Sequence, residues 1–214
     1  SKELNWKDVE AARADEMEFV KGIKVYEEVP IQECRDRTGK GPIGTRWVDI
    51  LKGDLTRSRW VAQDYKKKGD NGREDLFAAM PPLEAKKALF RMAAARMTGR
   101  MTRQNRKMKL MFVDVRKAHL NAACSKDDMY VTLPAEANAK PGMCGRLLRW
   151  LYGMRGAAQG WETEFGEKLL SIGFTRGKST PVVFHREKDE TTLVVHGDDF
   201  TYLGYPEALD EILN

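Results

Sequence analysis

The chain has 214 residues, of which 42% are hydrophobic and 32% are charged, and its formal net charge is +5 at pH 7. This composition is typical of a folded globular protein and excludes a disordered chain. No apolar run approaches the roughly 18 residues that a membrane helix needs, so we expect no membrane partner.

The three cysteines and three histidines are scattered along the chain. This spacing argues against a structural zinc and favours reduced thiols in an intracellular protein. The chain begins at Ser1 without an apolar leader or an initiator Met. We therefore expect a fragment or a processed product that carries no secretory signal.

The first half of the chain predicts a helix over residues 5–24, capped by Asn5 and with Trp6 on its apolar face, and a strand over 25–30. A turn-rich basic loop is expected over 34–42 and a polar loop over 64–75. Two strand candidates, 45–48 and 57–62, are joined by a turn and predict a hairpin. In its second strand Arg57 and Arg59 share one face, and Trp60 lies on the other. Beyond Pro81 and Pro82, residues 83–97 have a helical period, with Leu83, Phe90, Ala93, Ala94 and Met97 as the expected apolar face.

In the second half, the continuous apolar run 110–113 predicts a buried central strand that ends at Asp114. A tight turn into a helix follows, and then come a strand over 129–134 and a loop over 135–145. A long amphipathic helix is expected around Trp161, Phe165 and Leu169, a strand over 182–185, and a last helix over 207–213. Helices and strands do not alternate strictly, which favours an α+β fold with helices packed on one face of a mainly antiparallel sheet.

A tight polar turn separates the apolar runs 193–195 and 200–203, which is typical of a β-hairpin. The turn contains Gly197, Asp198 and Asp199. Adjacent carboxylates repel each other unless a cation lies between them. A divalent metal site and a solvated turn both explain this tripeptide, and the tripeptide alone favours the solvated turn.

Asp114 strengthens the metal-site interpretation over the solvated turn. If the strand over 110–113 pairs beside the hairpin, three carboxylates converge at one sheet edge. Such a cluster can hold two Mg²⁺ ions about 3.5–4 Å apart, which is the arrangement used for phosphoryl transfer.

Several short segments occur in an order that matches a known family. These are PIGTRWV at 42–48, RSRWVA at 57–62, FVDVRKAHLN at 112–121, MYVTLP at 129–134, LYGM at 151–154, Trp161, IGF at 172–174 and VHGDD at 195–199. The ordered series resembles the reverse transcriptase region of Ty1/copia-type retrotransposon polyproteins. The resemblance implies a polymerase right hand, with residues 1–110 mostly in the fingers and residues 110–214 mostly in a palm that stops before the thumb.

The resemblance also implies roles for individual residues. Asp114, Asp198 and Asp199 match the catalytic aspartates of the family, and with the backbone of Val115 they would bind two Mg²⁺ or Mn²⁺ ions. The remaining implied site residues concern the nucleotide and the primer. Backbone N–H groups of Lys117 and Ala118 would contact the triphosphate, Arg57 or Arg59 would bind it from the fingers, His119 would lie at the sugar, and His196 and Gly197 would lie at the primer end.

Three positions depart from the family pattern. His119 replaces an aromatic residue that blocks the ribose 2′-hydroxyl, Gly197 replaces the Val of the family's Tyr-Val-Asp-Asp, and Gly156 replaces a Gln that helps to position the nucleotide. Gly197 is expected to loosen a strand. Two alternatives to an RNA-directed DNA polymerase therefore stay open: an RNA-dependent RNA polymerase, and an inactive remnant that at most binds nucleic acid.

The expected partners are an RNA or DNA template–primer and deoxynucleoside triphosphates. We also expect the remainder of a polyprotein, which would supply a thumb, a ribonuclease H and an integrase. The expected location is a cytoplasmic particle or the nucleus.

Overall fold

The computed structural model describes residues 3–65, 83–125 and 128–213. Most of the predicted 64–75 loop, and Pro81 and Pro82, lie outside these residues. The chain forms two compact units: unit 1 contains Ser1–Phe77 and His119–Trp161, and unit 2 contains Ala78–Ala118 and Glu162–Asn214. No helix in the described part of the chain has both the length and the apolar character needed to cross a membrane.

Helices and strands are numbered separately, each in chain order. The helices are α1 (Trp6–Gly22), α2 (Ile31–Thr38), α3 (Leu83–Arg96), α4 (Ala118–Asn121), α5 (Ala157–Ser171) and α6 (Pro206–Leu213). The strands are β1 (Tyr26–Pro30), β2 (Thr45–Lys52), β3 (Leu55–Ala62), β4 (Lys109–Asp114), β5 (Tyr130–Val131), β6 (Met143–Leu147), β7 (Thr175–Arg176), β8 (Val183–Arg186), β9 (Thr191–His196) and β10 (Asp199–Gly204).

Unit 1 contains a three-stranded sheet in the order β1-β6-β5 and the hairpin β2-β3. Asn5 caps the N-terminus of helix α1, because its side chain accepts a hydrogen bond from the Lys7 amide. The helix packs against β3. The predicted Asn5 cap, the α1 helix and the β2-β3 hairpin are confirmed. Trp6, which the helical period places on the apolar face of α1, is 63% exposed.

Two loop predictions in unit 1 are wrong in part, since a helix covers the start of the first loop and a strand covers the end of the second. Residues 31–38 form helix α2, which starts after Pro30 and ends at Gly39 with a left-handed φ of 67°. Pro30 before the helix and Gly39 after it are typical of helix ends, and they outweigh the turn-forming composition around them. The expected loop over 135–145 contains the start of β6, which pairs with both β1 and β5. Long-range pairing of this kind leaves little signal in the local sequence.

Unit 2 contains an antiparallel five-stranded sheet in the order β4-β10-β9-β8-β7. On one face, Leu89 and Ala93 of α3 pack with Val194 and Leu203. On the other face, Phe165 of α5 makes edge contacts with aromatic rings at 184 and 200. The α+β architecture with mainly antiparallel sheets is confirmed, and in this unit helices cover both faces of the sheet rather than one.

The apolar positions of unit 2 differ from the sequence prediction in two places. Within the described residues β4 is an edge strand, not a buried central one, and its Phe112 is 66% exposed. In α3 the buried residues are Leu89 and Ala93, whereas Leu83 and Phe90 are exposed, as is Met97 just beyond the helix. Helical spacing identifies an apolar stripe, but the sheet decides which side of the helix is covered.

Candidate metal centre

The β9–β10 hairpin closes with a two-residue turn. Asp199 lies opposite His196, so Gly197 and Asp198 form the turn. Gly197 has a left-handed φ of 66°, which glycine adopts without the steric cost that a Cβ brings. The expectation that Gly197 loosens a strand is therefore wrong: it lies beyond β9 and allows the turn to form.

Strand β4 pairs antiparallel with β10, and the register places Asp114 directly opposite Asp199. The Val115 amide donates a hydrogen bond to the Asp198 carbonyl at 3.0 Å. These contacts join the end of β4 to the hairpin turn. The predicted pairing of residues 110–113 beside the hairpin is thus confirmed.

The three acids come together as a result. Carboxylate oxygens of Asp114, Asp198 and Asp199 lie within 4.8 Å of one another, and all three residues are exposed. An octahedral Mg²⁺ with ligands at about 2.0–2.1 Å separates its ligand oxygens by about 3–4 Å. Hard carboxylate oxygens at this spacing are suitable ligands for Mg²⁺ or Mn²⁺. Their role as metal ligands, and that of the Val115 backbone, stays a prediction.

A lysine approaches the hairpin from a distant part of the chain. Lys86 Nζ of α3 lies 2.7 Å from His196 Nδ1. Because an ammonium group has only donors, Lys86 donates to Nδ1, and a neutral imidazole then carries its proton on Nε2. The sequence gives no sign of this contact, since 110 residues separate Lys86 from His196.

The residues implied for nucleotide binding occupy two kinds of position. Arg57 and Arg59 lie on the exposed face of β3 in unit 1. Lys117 lies in the turn that follows β4, and Ala118 is the first residue of α4; both belong to unit 2. Lys117 has a left-handed φ of 55° and Ala118 is buried. The roles of their amides stay predictions.

Tyr152 brings two of the implied residues together within unit 1. The Arg59 guanidinium lies 5.5 Å from the centre of the Tyr152 ring. The His119 and Tyr152 rings meet edge to face, with centroids 5.6 Å apart. The sequence places Tyr152 only in an apolar segment, because these ring contacts come from parts of the chain far away in sequence.

Trp150 explains the departure at Gly156. A Cβ on Gly156 would lie 2.5 Å from the Trp150 ring, and one on Gly160 would lie 2.1 Å from its Nε1. The indole is buried and packs directly against these two glycines. It therefore fills the space at Gly156 that any side chain, including the family's Gln, would need.

The fold and the acid cluster define a class of protein: an α+β domain with a potential divalent-cation site at a sheet edge. The chain belongs to the reverse transcriptase (RNA-dependent DNA polymerase) family, whose model matches residues 31–204. It is a copia-type member, as its relatives among plant transposons indicate. The resemblance seen in the ordered motifs is confirmed.

Two relatives are polyproteins. The Retrovirus-related Pol polyprotein from transposon TNT 1-94 of Nicotiana tabacum is 22% identical over 209 residues, covering 92% of this chain and 14% of the relative. The Retrovirus-related Pol polyprotein from transposon RE1 of Arabidopsis thaliana is 26% identical over 177 residues, covering 78% of this chain and 11% of the relative. The chain thus spans only a small part of the length of either relative.

Proposed function

We propose that the chain is an RNA-directed DNA polymerase domain that transfers a nucleotide from a deoxynucleoside triphosphate to a primer 3′-hydroxyl. The observation that carries the proposal is the meeting of Asp114, Asp198 and Asp199 within 4.8 Å, in a chain that matches the reverse transcriptase family over residues 31–204. A solvated turn explains the Gly-Asp-Asp tripeptide, but it gives no reason for the third acid to lie beside it.

The three carboxylates would hold a pair of divalent cations at the edge of the sheet. Such ions supply Lewis acidity that lowers the pKa of the primer hydroxyl and stabilises charge on the leaving pyrophosphate. The turn hydrogen bond from Val115 to Asp198 fixes the acids relative to β4. Arg57 or Arg59 would pair with phosphate oxygens of the nucleotide through charge-assisted hydrogen bonds.

The exposed face of the β2-β3 hairpin supports a polyanionic partner. Its four cross-strand pairs each join one cation to one aliphatic residue: Arg46 with Val61, Val48 with Arg59, Ile50 with Arg57, and Lys52 with Leu55. Phosphates bind cations, and apolar side chains contact sugars and bases. We therefore propose RNA or DNA template–primer as the partner, with the rest of a Pol polyprotein acting in a cytoplasmic particle or the nucleus.

Primer extension tests this function. The chain is incubated with a primed RNA template, deoxynucleotides and Mg²⁺ or Mn²⁺. We expect Asp198→Asn to abolish incorporation, because one ligand charge is lost from the site. Asp15→Asn, at an exposed acid of α1, removes the same charge elsewhere and should have no effect. Unchanged incorporation by the Asp198 variant would refute the site assignment.

The packing of Trp150 at Gly156 favours a second candidate, an inactive remnant, because the family's Gln cannot fit there. Thermal unfolding with increasing Mn²⁺ separates the two. A functional site should raise the melting temperature as the ions bind, and Asp114→Asn should remove that rise. If the chain is a remnant, Mn²⁺ should stabilise neither the unchanged chain nor the Asp114→Asn variant.

A further inference from the structure

Helix α3 brings a lysine to the strand that leads into the acid-bearing turn. Lys86, Leu89 and Ala93 have the spacing of one helix face. Leu89 and Ala93 pack with Val194 of β9. His196 is two residues further along that strand and therefore faces the same helix. Lys86 Nζ lies 2.7 Å from His196 Nδ1, so this contact follows from the packing of α3 on the sheet.

The imidazole stands in one row with two of the acids. Asp199 lies opposite His196, and Asp114 lies opposite Asp199 on β4. Residues directly opposite each other in antiparallel strands have their Cβ atoms about 4.5–5.5 Å apart on the same face of the sheet. The lysine, the imidazole and the three acids all belong to unit 2. The His196 ring is therefore close enough to be a potential further ligand of the cation site.

The structure nevertheless keeps the imidazole outside that site. Among the described residues, the group whose ligand atoms lie within 4.8 Å of one another consists of the three acids and does not include His196. An imidazole binds a metal through a nitrogen lone pair, and a neutral ring has only one. In His196 the lone pair on Nδ1 accepts the hydrogen bond from Lys86, and the ring's own proton is on Nε2. A cation at Nδ1 would also be repelled by the neighbouring ammonium.

We propose that Lys86 is a positioning residue that keeps His196 out of the cation site, so that the site has oxygen ligands only and Zn²⁺ gains little advantage over Mn²⁺. The inference rests on the proposed function, because it concerns the cations that the three acids would hold. Carboxylate oxygens suit Mg²⁺ and Mn²⁺, whereas an imidazole combined with carboxylates is a typical ligand set for Zn²⁺. The Lys86 ammonium thus withholds a nitrogen ligand that stands beside the acids.

The state of the imidazole is tested first, without reference to activity. His119, His185 and His196 are the only histidines of the chain, so their ring nitrogen signals can be resolved by NMR, and His196→Gln identifies those of His196. At about pH 8, where a free imidazole is neutral, we expect Zn²⁺ to leave the His196 signals in place in the unchanged chain and to shift them in Lys86→Met. Lys87→Met removes the same charge from an exposed neighbour on α3 and should behave as the unchanged chain does. Before metal is added, unchanged His185 signals show that unit 2 of each variant is folded.

Metal preference is measured next by titration calorimetry with Mn²⁺ and with Zn²⁺. Only binding that Asp198→Asn removes is counted as binding to the acid cluster. We expect Lys86→Met to raise the affinity for Zn²⁺ relative to Mn²⁺ by about tenfold, which is the size of effect that partners of metal-binding histidines have. Lys87→Met, and Lys86→Arg, which keeps a cationic donor, should retain the original ratio. Adding His196→Gln to Lys86→Met should remove the gain, because the nitrogen ligand is then missing.

The opposite outcomes separate this inference from the proposed function. An unchanged ratio of the two affinities in Lys86→Met, or an equal rise in Lys87→Met, would overturn the role of Lys86 and leave the proposed function standing. A shift of the His196 signals by Zn²⁺ in the unchanged chain would also overturn that role. If neither metal shows binding that Asp198→Asn removes, the acid cluster is not a cation site, and the proposed function fails together with this inference.

Discussion

Gly197 governs the geometry of the acid cluster at the level of a single residue. Its φ of 66° is left-handed, yet a Cβ at this position would meet no atom within 4 Å. The constraint on the residue is therefore the backbone conformation and not the space around it. A substitution at Gly197 therefore tests backbone strain without a packing effect.

We expect Gly197→Val to lower the free energy of unfolding by about 1–2 kcal/mol, because a β-branched residue is strained in the left-handed region. Gly197→Asn should cost less, since Asn adopts this region more readily. Urea denaturation measures both. Gly41→Val is the control, because Gly41 also has open space but no left-handed φ, and it should change little. Equal losses for Val and Asn at position 197 would show that the turn relaxes to another conformation.

The contact of α1 with the β2-β3 hairpin illustrates how elements are joined. Arg13 donates two hydrogen bonds to the Asp49 carboxylate, at 2.7 and 3.2 Å, and a third to Glu136. Ser58 also donates to Asp49 at 2.7 Å. Hydrogen bonds from Arg13 lower the pKa of Asp49 against the opposing effect of burial. The ionised form of Asp49 is thus the one that joins helix and hairpin.

A carboxyl whose folded pKa is lowered contributes stability that is present above its unfolded pKa of about 3.9 and is lost as the pH falls through the folded value. We expect Asp49→Asn to destabilise the chain by about 1–3 kcal/mol at pH 7. The difference from the unchanged chain should shrink below about pH 4, because the unchanged chain then loses the ionised carboxylate that the variant already lacks. Urea denaturation at several pH values measures this. A difference that stays constant down to about pH 3 would show that packing, and not charge, is responsible.

Elements with a strong local pattern could be predicted from the sequence. Asn5 and the apolar period give α1, the alternation around Trp60 gives the hairpin, and Trp161, Phe165 and Leu169 give α5. Strand β6 could not be predicted, because its stability comes from pairing with β1 and β5. The exposed position of Phe112 was also missed, since four apolar residues in a row do not reveal whether one face of a strand stays uncovered.

The candidate site divides in the same way. The acids could be found because each stands in a recognisable local setting: Asp114 after an apolar run, and Asp198 and Asp199 in a turn. Lys86 and Tyr152 could not be found, because they reach their partners only through the tertiary fold. Their sequence surroundings, a helical period and an apolar segment, predict packing and carry no sign of His196 or Arg59.

For the whole molecule, net charge and its distribution point to different conclusions. A net charge of +5 on 214 residues is too small to indicate a polyanionic partner by itself. The exposed face of the β2-β3 hairpin, however, holds four cations and no acid across its four residue pairs. Local arrangement is thus stronger evidence for nucleic acid than the total charge.

Salt dependence tests this distribution. Each cation that contacts a single-stranded phosphate adds about 0.7 to the slope of log affinity against log salt. We expect replacement of Arg46, Lys52, Arg57 and Arg59 by Gln to reduce that slope by about three for a single-stranded template. Replacement of Lys7, Lys140, Lys168 and Lys178 by Gln removes the same charge from positions elsewhere on the chain and should reduce it far less. Fluorescence anisotropy at several salt concentrations measures both slopes. Equal reductions of the slope in the two variants would mean that binding depends only on the total charge of the chain. The hairpin face would then have no special role.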